Sequence, residues 1–302
     1  MKFIVVGLGN QGNKRKTILA NKCVATVDNL NNKADYKNIA EVPIDKYDSV
    51  IISVPEKEKL KIIKYCIRKK KNVLIEKPLL FSSLAVLKNI EKQANLKKIY
   101  IQTSYNHRFE KTISLLRSEI KKKFLGKIYN FSFSYLNGTA KNVKNTWRDK
   151  NNGVIYDLLP HILDMIYMLF GSKNSFRILN ISKRKFENNA IDYANINFML
   201  NKINVSTTVS YCNWKNTFTI YFNGSKGSIE INSLSKWSKT CLTKYYRKFP
   251  SGVPYEKKYN FFNKDVTWKK EINEFQNKIK KKYKTNLKRD IFINNFFVKY
   301  LN

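Results

Sequence analysis

The sequence predicts two domains of different fold class. Residues 1–103 are predicted to form an α/β domain with a doubly wound parallel sheet, and residues 104–302 an α+β domain with an open, mainly antiparallel sheet. In the first hundred residues short apolar runs alternate with helical patterns. Beyond residue 104 several strand patterns follow one another with only turn residues between them. The 302 residues, 43% of them hydrophobic, suffice for two cores.

The first domain contains five apolar, β-branched segments with the pattern of strands that are buried on both faces. They lie at residues 2–6, 23–27, 49–54, 72–75 and 99–103. Between them, apolar residues recur at helical spacing at 58–69 and 82–94. Strands that are joined by helices in this way form a parallel sheet.

The second domain begins with a predicted helix at 111–122, a strand at 128–136 and an apolar helix at 156–170. Further strands are predicted at 176–186, 194–200, 204–211, 217–222 and 228–231, and Lys-rich helices at 268–282 and 290–300. Asn201-Lys202 and the segment 223–227 predict hairpin turns. Strands in unbroken succession favour antiparallel pairing.

The formal charge is +36, which first suggests nucleic acid or an anionic membrane surface as a partner. Only nine of the 58 basic residues are Arg, however, and the lysine excess is spread over the whole chain. Proteins that recognise phosphates and bases favour Arg, because its guanidinium binds in a bidentate manner. We therefore expect no nucleic-acid partner.

The four cysteines are widely spaced and form no C-x-x-C pair, so we expect reduced cysteines and no metal site. The apolar run before Gly7 is too short for a signal peptide. The most apolar helix contains Asp157, His161 and Asp164, which argues against a membrane span. These observations predict a cytoplasmic protein without a membrane partner.

A glycine-rich turn, Gly7-Leu8-Gly9-Asn10-Gln11-Gly12, directly follows the first strand. Between a strand and a helix, this G-x-G-x-x-G spacing predicts a dinucleotide-binding Rossmann domain. The first glycine allows the tight turn, the second lets the backbone approach a pyrophosphate, and the third lets helix and strand pack closely. The alternative is a Rossmann-like turn that binds no nucleotide.

The second predicted strand ends at Asp28, 16 residues after Gly12. A carboxylate here can accept hydrogen bonds from the ribose hydroxyls of NAD, and it would repel the 2′-phosphate of NADP. We therefore expect NAD rather than NADP as the cofactor. The alternative is an ordinary turn residue, because Asn29 follows.

Glu76-Lys77-Pro78 follows the fourth predicted strand, at the sheet edge where doubly wound domains bind ligands. A lysine at this edge can hold its charge close to a nicotinamide. In a chain with 58 basic residues, the alternative for Lys77 alone is a solvated side chain.

Asp157 and His161 are four residues apart in an otherwise apolar segment, which places them on one helical face. An imidazole can take a proton from an alcohol near neutral pH, and a carboxylate one turn away can orient it or hold a second hydroxyl. The alternative is a helix cap at Asp157 with a structural histidine. Pro160 supports an early helical position, because proline is tolerated in the first turn.

Taken together, these residues resemble the glucose–fructose oxidoreductase / inositol dehydrogenase (Gfo/Idh/MocA) family of NAD(P)-dependent oxidoreductases. The resemblance covers nearly the whole chain. Besides the motifs above, it includes Ser53-Val54-Pro55, the segment NVLIEKPL at 72–79, Tyr105-Asn106-His107-Arg108-Phe109, Trp147-Arg148-Asp149 and the turn and strand at 224–231.

The resemblance implies a dehydrogenase that acts on CH–OH groups of sugars, cyclitols or nucleotide-linked sugars. Lys77 would polarise the reacting hydroxyl, His161 would be the general base during oxidation, and Asp157 would hold the substrate or the histidine. The lysine and the D-x-x-x-H pair would meet over the nicotinamide. The short first helix also resembles that of relatives associated with surface-polysaccharide sugar modification.

The remaining predicted site residues follow from the same motifs. Cofactor contacts are assigned to the six residues of the glycine-rich turn, Asp28, Ser53, Val54, Pro55, Glu76 and Lys77. Substrate contacts are assigned to Asn106, Arg108, Trp147 and Arg148. The basic residues among them would suit an anionic substrate such as a nucleotide sugar.

Three features depart from the family pattern. The glycine-rich stretch that usually precedes D-x-x-x-H is reduced to Asn151-Asn152-Gly153. A histidine often found shortly after the third-strand proline is absent, and Lys59 lies near its place. The chain is also shorter than many relatives. No catalytic group of the pattern is lost.

Two other functions are compatible with parts of the sequence. A non-catalytic NAD-binding regulator would keep the three glycines, but it would not need Lys77, Asp157 and His161 together. A basic nucleic-acid-binding protein would bind duplexes with an affinity that falls steeply with salt. An open antiparallel sheet is often covered by a partner subunit, so we also expect a homo-oligomer that forms through the C-terminal sheet.

Overall fold

The computed structural model describes residues 1–172, 175–262 and 264–301. The chain forms two compact units. The first comprises Met1–Asn106 with Trp268–Asn302, and the second comprises His107–Thr267. The C-terminal segment, which the sequence analysis assigns to the second domain, thus belongs to the first unit in the structure.

The first unit contains a five-stranded sheet in which every strand pair is parallel, in the order β2-β1-β3-β4-β5. The strands are β1 (Phe3–Val6), β2 (Cys23–Val27), β3 (Ser49–Ile52), β4 (Asn72–Glu76) and β5 (Ile101–Ser104), and the helices between them are α1 (Asn10–Leu19), α2 (Glu56–Arg68) and α3 (Leu84–Leu96). The predicted doubly wound sheet is confirmed. Because β2 and β3 flank β1 on opposite sides, the carboxyl ends of β1 and β3 border the crevice at which such sheets bind ligands.

The second unit contains an eight-stranded sheet in the order β13-β12-β11-β10-β6-β9-β8-β7. All its pairs are antiparallel except β6 with β9, so the predicted open, mainly antiparallel sheet is confirmed. Its elements are α4 (Lys111–Lys121), β6 (Ile128–Gly138), α5 (Ala140–Val143), α6 (Gly153–Phe170), β7 (Phe176–Arg184), β8 (Tyr193–Leu200), β9 (Ile203–Ser210), β10 (Cys212–Gly224), β11 (Gly227–Asn232), β12 (Thr240–Tyr246) and β13 (Tyr255–Phe261).

The sequence analysis does not predict β12 and β13. β13 carries charged and polar residues at most positions and is largely exposed, so it shows no apolar alternation. It forms by adding backbone hydrogen bonds to the edge of a sheet that already exists, along seven residue pairs with β12.

Helix α6 is the core helix of the second unit and packs against β8 and β9. It begins at Gly153, three residues before the predicted start, because Gly153 allows a close backbone approach. A Cβ at this residue would lie 2.6 Å from Arg148 O and 2.7 Å from Ile191 O. Pro160 therefore lies inside the helix, not in its first turn. The N-cap residue is Asn152, which excludes the alternative of a helix cap at Asp157.

By length and composition, α6 is the one helix in the described part of the chain that could cross a membrane. Of its 18 residues, 72% are buried within the structure, as expected for the core helix of a domain. The four cysteines are all unpaired, as predicted, and Cys66 is buried.

Two C-terminal helices, α7 (Thr267–Lys280) and α8 (Lys288–Tyr300), complete the first unit. Ile272 and Phe275 of α7 are buried in the core that contains Phe3. The Asn294 side chain of α8 makes hydrogen bonds with both the N–H and the C=O of Phe81, at 3.1 and 2.9 Å. These contacts, made by residues distant in the sequence, explain why the segment joins the first unit.

A fully buried Arg15 in α1 connects three further elements of this unit. Its guanidinium pairs with Glu76 at the end of β4 and with Glu271 of α7, each at 2.6 Å. Glu271 also accepts hydrogen bonds from Ser104 Oγ (2.7 Å) and from the Tyr105 N–H (2.6 Å). Burial raises the pKa of the Glu271 carboxyl, and Arg15 opposes that effect.

Replacing Arg15 with Met should lower the free energy of unfolding by about 3–5 kcal/mol, because two buried carboxylates would lose their cation. Urea unfolding measures the change. Lys16→Met is the matched control, since Lys16 is the next residue of the same helix and is exposed. If Arg15→Met and Lys16→Met unfold at the same urea concentration, the buried network does not stabilise the unit.

Candidate active site

The glycine-rich turn shows a different spatial requirement at each glycine. Gly7 has a positive φ of +92°, and a Cβ added there would lie 2.6 Å from Ser53 O. A Cβ at Gly12 would lie 1.7 Å from Gly7 O, which no rearrangement of a side chain could relieve. A Cβ at Gly9 would meet nothing within 4 Å. The protein itself therefore requires Gly7 and Gly12, whereas the space above Gly9 is open to a ligand.

Helix α1 begins at this open position. Gly9 is its N-cap, and no side chain caps the helix. The first N–H groups of a helix lack intrahelical partners and carry a partial positive charge, so they bind anions such as a pyrophosphate. Asn10 and Gln11 lie in this first turn, as predicted. The N–H of Leu8, in contrast, already donates to Asp28 Oδ2 at 2.7 Å.

Asp28 organises the turn that follows β2. Its Oδ1 accepts the N–H groups of Leu30 and Asn31, each at 2.9 Å. Partial burial raises the pKa of Asp28, but the hydrogen bonds from Leu8, Asn31 and Leu30 outweigh that effect and the pKa is lowered. A carboxylate offers about four acceptor positions, so the ionised group can still accept a ribose hydroxyl while it holds the turn.

Ser53 directly follows β3 and lies beside the glycine-rich turn. Its N–H donates to Val6 O at 2.7 Å, while its Oγ is buried and has no hydrogen-bond partner among the described residues. Pro55 is the N-cap of α2. An unpartnered hydroxyl, an open glycine and a free helix N-terminus together fit a dinucleotide at this edge of the sheet.

Glu76 and Lys77, the two predicted residues at the end of β4, lie in different environments. The Glu76 carboxylate is buried and pairs with Arg15, so its observed partner is a core guanidinium, whereas the sequence analysis assigns it to the cofactor. Lys77 is half-buried at the carboxyl end of the strand. Of the two side chains, Lys77 is the more accessible.

In the second unit, α6 presents Asp157 and His161 one turn apart, and both are buried. Asp157 Oδ2 accepts hydrogen bonds from Arg148 Nε at 2.8 Å and from the Tyr211 hydroxyl at 3.1 Å. Burial raises the pKa of Tyr211, and the Asp157 charge raises it further. Asp157 is thus held by an arginine and a neutral tyrosine.

The chain has two histidines, and their rings lie against each other. The His161 and His107 ring centroids are 4.2 Å apart, with an angle of 31° between the planes. His107 Nε2 is 2.9 Å from the Tyr135 hydroxyl, which also accepts a hydrogen bond from Lys236 Nζ at 2.8 Å. Burial of its ammonium lowers the pKa of Lys236 to about 8, although Asp157, Asp265 and Glu110 oppose the shift. Lys236, Tyr135 and His107 thus form a hydrogen-bonded row, and the His107 ring at its end lies against the His161 ring.

The four predicted substrate residues have different surroundings. Arg148 contacts Asp157, and its guanidinium lies 4.8 Å from the ring of Trp147, which is 41% exposed. The guanidinium of Arg108 instead pairs with the buried Asp164 of α6. Asn106 is buried in the first unit. Among these four residues, Trp147 presents the most open surface.

Sequence reasoning missed four residues of this cluster: His107, Tyr135, Tyr211 and Lys236. His107 lies in a quoted motif and is one of only two histidines, so its rarity was a usable signal. Tyr135 occupies a buried position of β6, and no local pattern distinguishes it from the buried phenylalanines of that strand. Lys236 lies between β11 and β12, and nothing in the sequence separates it from the other lysines.

Comparison with known families decides the classification. Residues 2–105 match the profile described as "Oxidoreductase family, NAD-binding Rossmann fold", and residues 117–292 match "Oxidoreductase family, C-terminal alpha/beta domain". The chain belongs to the Gfo/Idh/MocA oxidoreductase family. Its first domain is therefore an NAD-binding Rossmann domain, as the glycine-rich turn predicts.

Individual relatives are more distant. The chain is 28% identical to glucose-6-phosphate 3-dehydrogenase of Bacillus subtilis over 193 residues, which cover 59% of this chain and 54% of that protein. The match therefore spans about half the length of that relative. Among solved structures, a levoglucosan dehydrogenase in complex with NADH and levoglucosan superposes with a TM-score of 0.81 at 16% identity, over 99% of this chain and 96% of that one. UDP-N-acetylglucosamine 3-dehydrogenase from Acidithiobacillus ferrooxidans gives 0.79 at 15% identity, over 98% and 95%.

The open space at Gly9 generates a prediction about the Gly9→Ala variant. Gly9 has an extended conformation that any residue adopts, so the free energy of unfolding should change by less than about 1 kcal/mol. The added methyl group should nevertheless raise the Kd for NADH about tenfold, because it occupies the surface that a pyrophosphate would contact. A fluorescence titration with NADH measures the Kd.

Gly12→Ala is the matched control. Its Cβ would collide with Gly7 O, so this variant should lose about 3 kcal/mol of stability or more. Wild-type NADH affinity in Gly9→Ala would contradict a dinucleotide at this turn.

Proposed function

We propose that this protein is an NAD-dependent dehydrogenase that transfers a hydride between nicotinamide and a secondary alcohol of a sugar, a cyclitol or a nucleotide sugar. The observation that carries the proposal is the Asp157–His161 pair on a buried helix, within a chain whose first domain is an NAD-binding Rossmann domain. Buried ionisable side chains are costly unless they are paired or hydrogen-bonded, and Arg148 and Tyr211 provide such partners for Asp157. Proton transfer to and from a substrate hydroxyl is the function that the Asp157–His161 pair fits best.

The chemistry divides among the chain's own residues. NAD, when bound, supplies the hydride acceptor. His161 takes the proton of the reacting hydroxyl on an imidazole nitrogen during oxidation and returns it during reduction. The family resemblance assigns Lys77 to stabilise the negative charge that develops on the oxygen of the reacting hydroxyl. Asp157 accepts hydrogen bonds from Arg148 and Tyr211 and so fixes both side chains one helical turn before His161.

The row formed by His107, Tyr135 and Lys236 supports a proton path to this base. The Tyr135 hydroxyl contacts both His107 Nε2 and Lys236 Nζ, so it can accept a proton from one side and donate one on the other. Lys236 as a whole residue is exposed, whereas its ammonium is desolvated beside Tyr135. In this scheme Lys236 donates to Tyr135 and Tyr135 donates to His107, so the row can carry a proton from Lys236 towards the histidine pair during reduction.

Asp28 supports NAD as the cofactor. The hydrogen bonds that lower its pKa keep the carboxylate ionised, and an ionised group would repel the 2′-phosphate of NADP. The four unpaired cysteines suit a reducing compartment, which agrees with a cytoplasmic location.

An anionic sugar is the substrate class that the second unit favours. Arg148 is paired with Asp157, and Lys236 adds a further cationic group that a phosphate or diphosphate could bind. Two of the relatives described above are named for anionic substrates, glucose 6-phosphate and UDP-N-acetylglucosamine.

A substrate panel tests the proposal. Glucose 6-phosphate, UDP-N-acetylglucosamine, scyllo-inositol and levoglucosan would each be incubated with NAD and, separately, with NADP, and NADH or NADPH formation would be followed by absorbance. We expect turnover with at least one anionic sugar and a higher rate with NAD. His161→Ala should lower kcat by about 10²–10⁴-fold and leave the NADH affinity unchanged, because it removes only the base. Unchanged turnover in His161→Ala would leave a non-catalytic NAD-binding protein as the better description.

The open sheet of the second unit is the surface that we propose for self-association. Its two edge strands are β7 and β13, and the face that carries Ser132, Ser134 and Tyr221 is partly exposed. A second copy of the chain would cover that face. Light scattering at micromolar concentration should give a mass of at least two chains, and a monomer would refute this part of the proposal.

A further inference from the structure

Lys59 is a buried lysine on the second turn of α2. Its side chain is 2% exposed, which is rare for an ammonium group because removal from water is costly. The Lys59 Nζ compensates for this with three acceptors: the Glu56 carboxylate, the Glu76 backbone oxygen at 2.5 Å, and the Pro78 backbone oxygen. An ammonium has three N–H donors, so these three bonds use them all.

The two backbone acceptors lie on either side of Lys77. One ammonium therefore binds the carbonyl before and the carbonyl after the residue that we propose to contact the reacting hydroxyl. Glu56 completes the arrangement, since its second oxygen accepts the Leu80 N–H at 3.3 Å. The segment that leaves β4 is thus attached to α2 at three points around Lys77.

The charges of these groups are coupled as well. Burial lowers the pKa of Lys59, Glu56 and Glu76 oppose that effect, and the Lys77 charge lowers the pKa further. Burial raises the pKa of Glu56, and both lysines lower it. The Lys77 ammonium is therefore within electrostatic range of the Lys59–Glu56 pair.

We infer that Lys59, neutralised by Glu56, is a positioning residue that fixes the backbone on both sides of Lys77 and thereby aims the Lys77 ammonium. The inference rests on the proposed role of Lys77 in hydride transfer. A purely structural role would make the same hydrogen bonds, but its loss would affect the whole unit and would not act through Lys77.

A double-mutant cycle separates the two cases. Lys59→Met should lower kcat by ten- to a hundredfold for the best substrate of the panel, while KM and the Kd for NADH change less than twofold. In a Lys77→Met background the same substitution should lower the residual kcat less than twofold, because its only route to the reaction is already lost. Lys71→Met is the control, since Lys71 Nζ also binds a backbone oxygen, that of Tyr47 at 2.6 Å, before β4 begins. It should leave kcat unchanged.

A second readout needs no substrate. The rate at which acetic anhydride acetylates Lys77, followed by peptide mass spectrometry, should rise at least threefold in Lys59→Met and stay unchanged in Lys71→Met. If Lys59→Met does not fold, Glu56→Gln replaces it in both measurements, because it keeps the ammonium but removes its counter-charge. We expect the same pattern with a smaller loss of kcat, about two- to tenfold.

The outcomes distinguish this inference from the proposed function. An equal loss of kcat in the wild-type and Lys77→Met backgrounds, or no loss in either, overturns the positioning role alone. Wild-type turnover in Lys77→Met itself removes Lys77 from the chemistry, and the inference falls with it.

Discussion

The buried guanidinium of Arg15 is the interaction on which the first unit depends. It lies in the helix that follows the glycine-rich turn and binds Glu76, at the end of the strand that carries Lys77, and Glu271, in a helix from the far end of the sequence. Buried charges tolerate only arrangements in which every member has a partner. The cofactor turn, the Lys77 strand and the C-terminal helix are therefore held in one relative position by a single cation.

The proposed chemistry uses a similar device in the second unit. Asp157 is buried, but Arg148 and Tyr211 satisfy its carboxylate, and His161 lies against His107, whose other neighbour is Tyr135. Each reactive group is thus fixed by a partner that does not itself need to react. Such preorganisation lowers the cost of arranging groups at the moment of proton transfer.

The large positive charge has a modest role in this structure. A few lysines are buried in specific pairs, such as Lys59 with Glu56 and Lys244 with Glu119 at 2.6 Å. Most of the others are half-buried or exposed. The charge therefore reflects composition along the whole chain.

The sequence by itself determined the two fold classes, the family and the glycine-rich turn, because these depend on local patterns: period-two and helical spacing, and glycines whose conformation or packing tolerates no side chain. It also predicted that Asp157 and His161 share one face of a helix, because residues four apart in a helix lie one turn from each other. Only the tertiary structure decided that Glu76 pairs with Arg15 and that residues 268–301 join the first unit. It also decided that Tyr135 contacts both histidines, that Lys236 binds Tyr135 and that Tyr211 binds Asp157. Those contacts join residues far apart in the sequence, and which of 58 basic residues is buried depends on packing that no local pattern records.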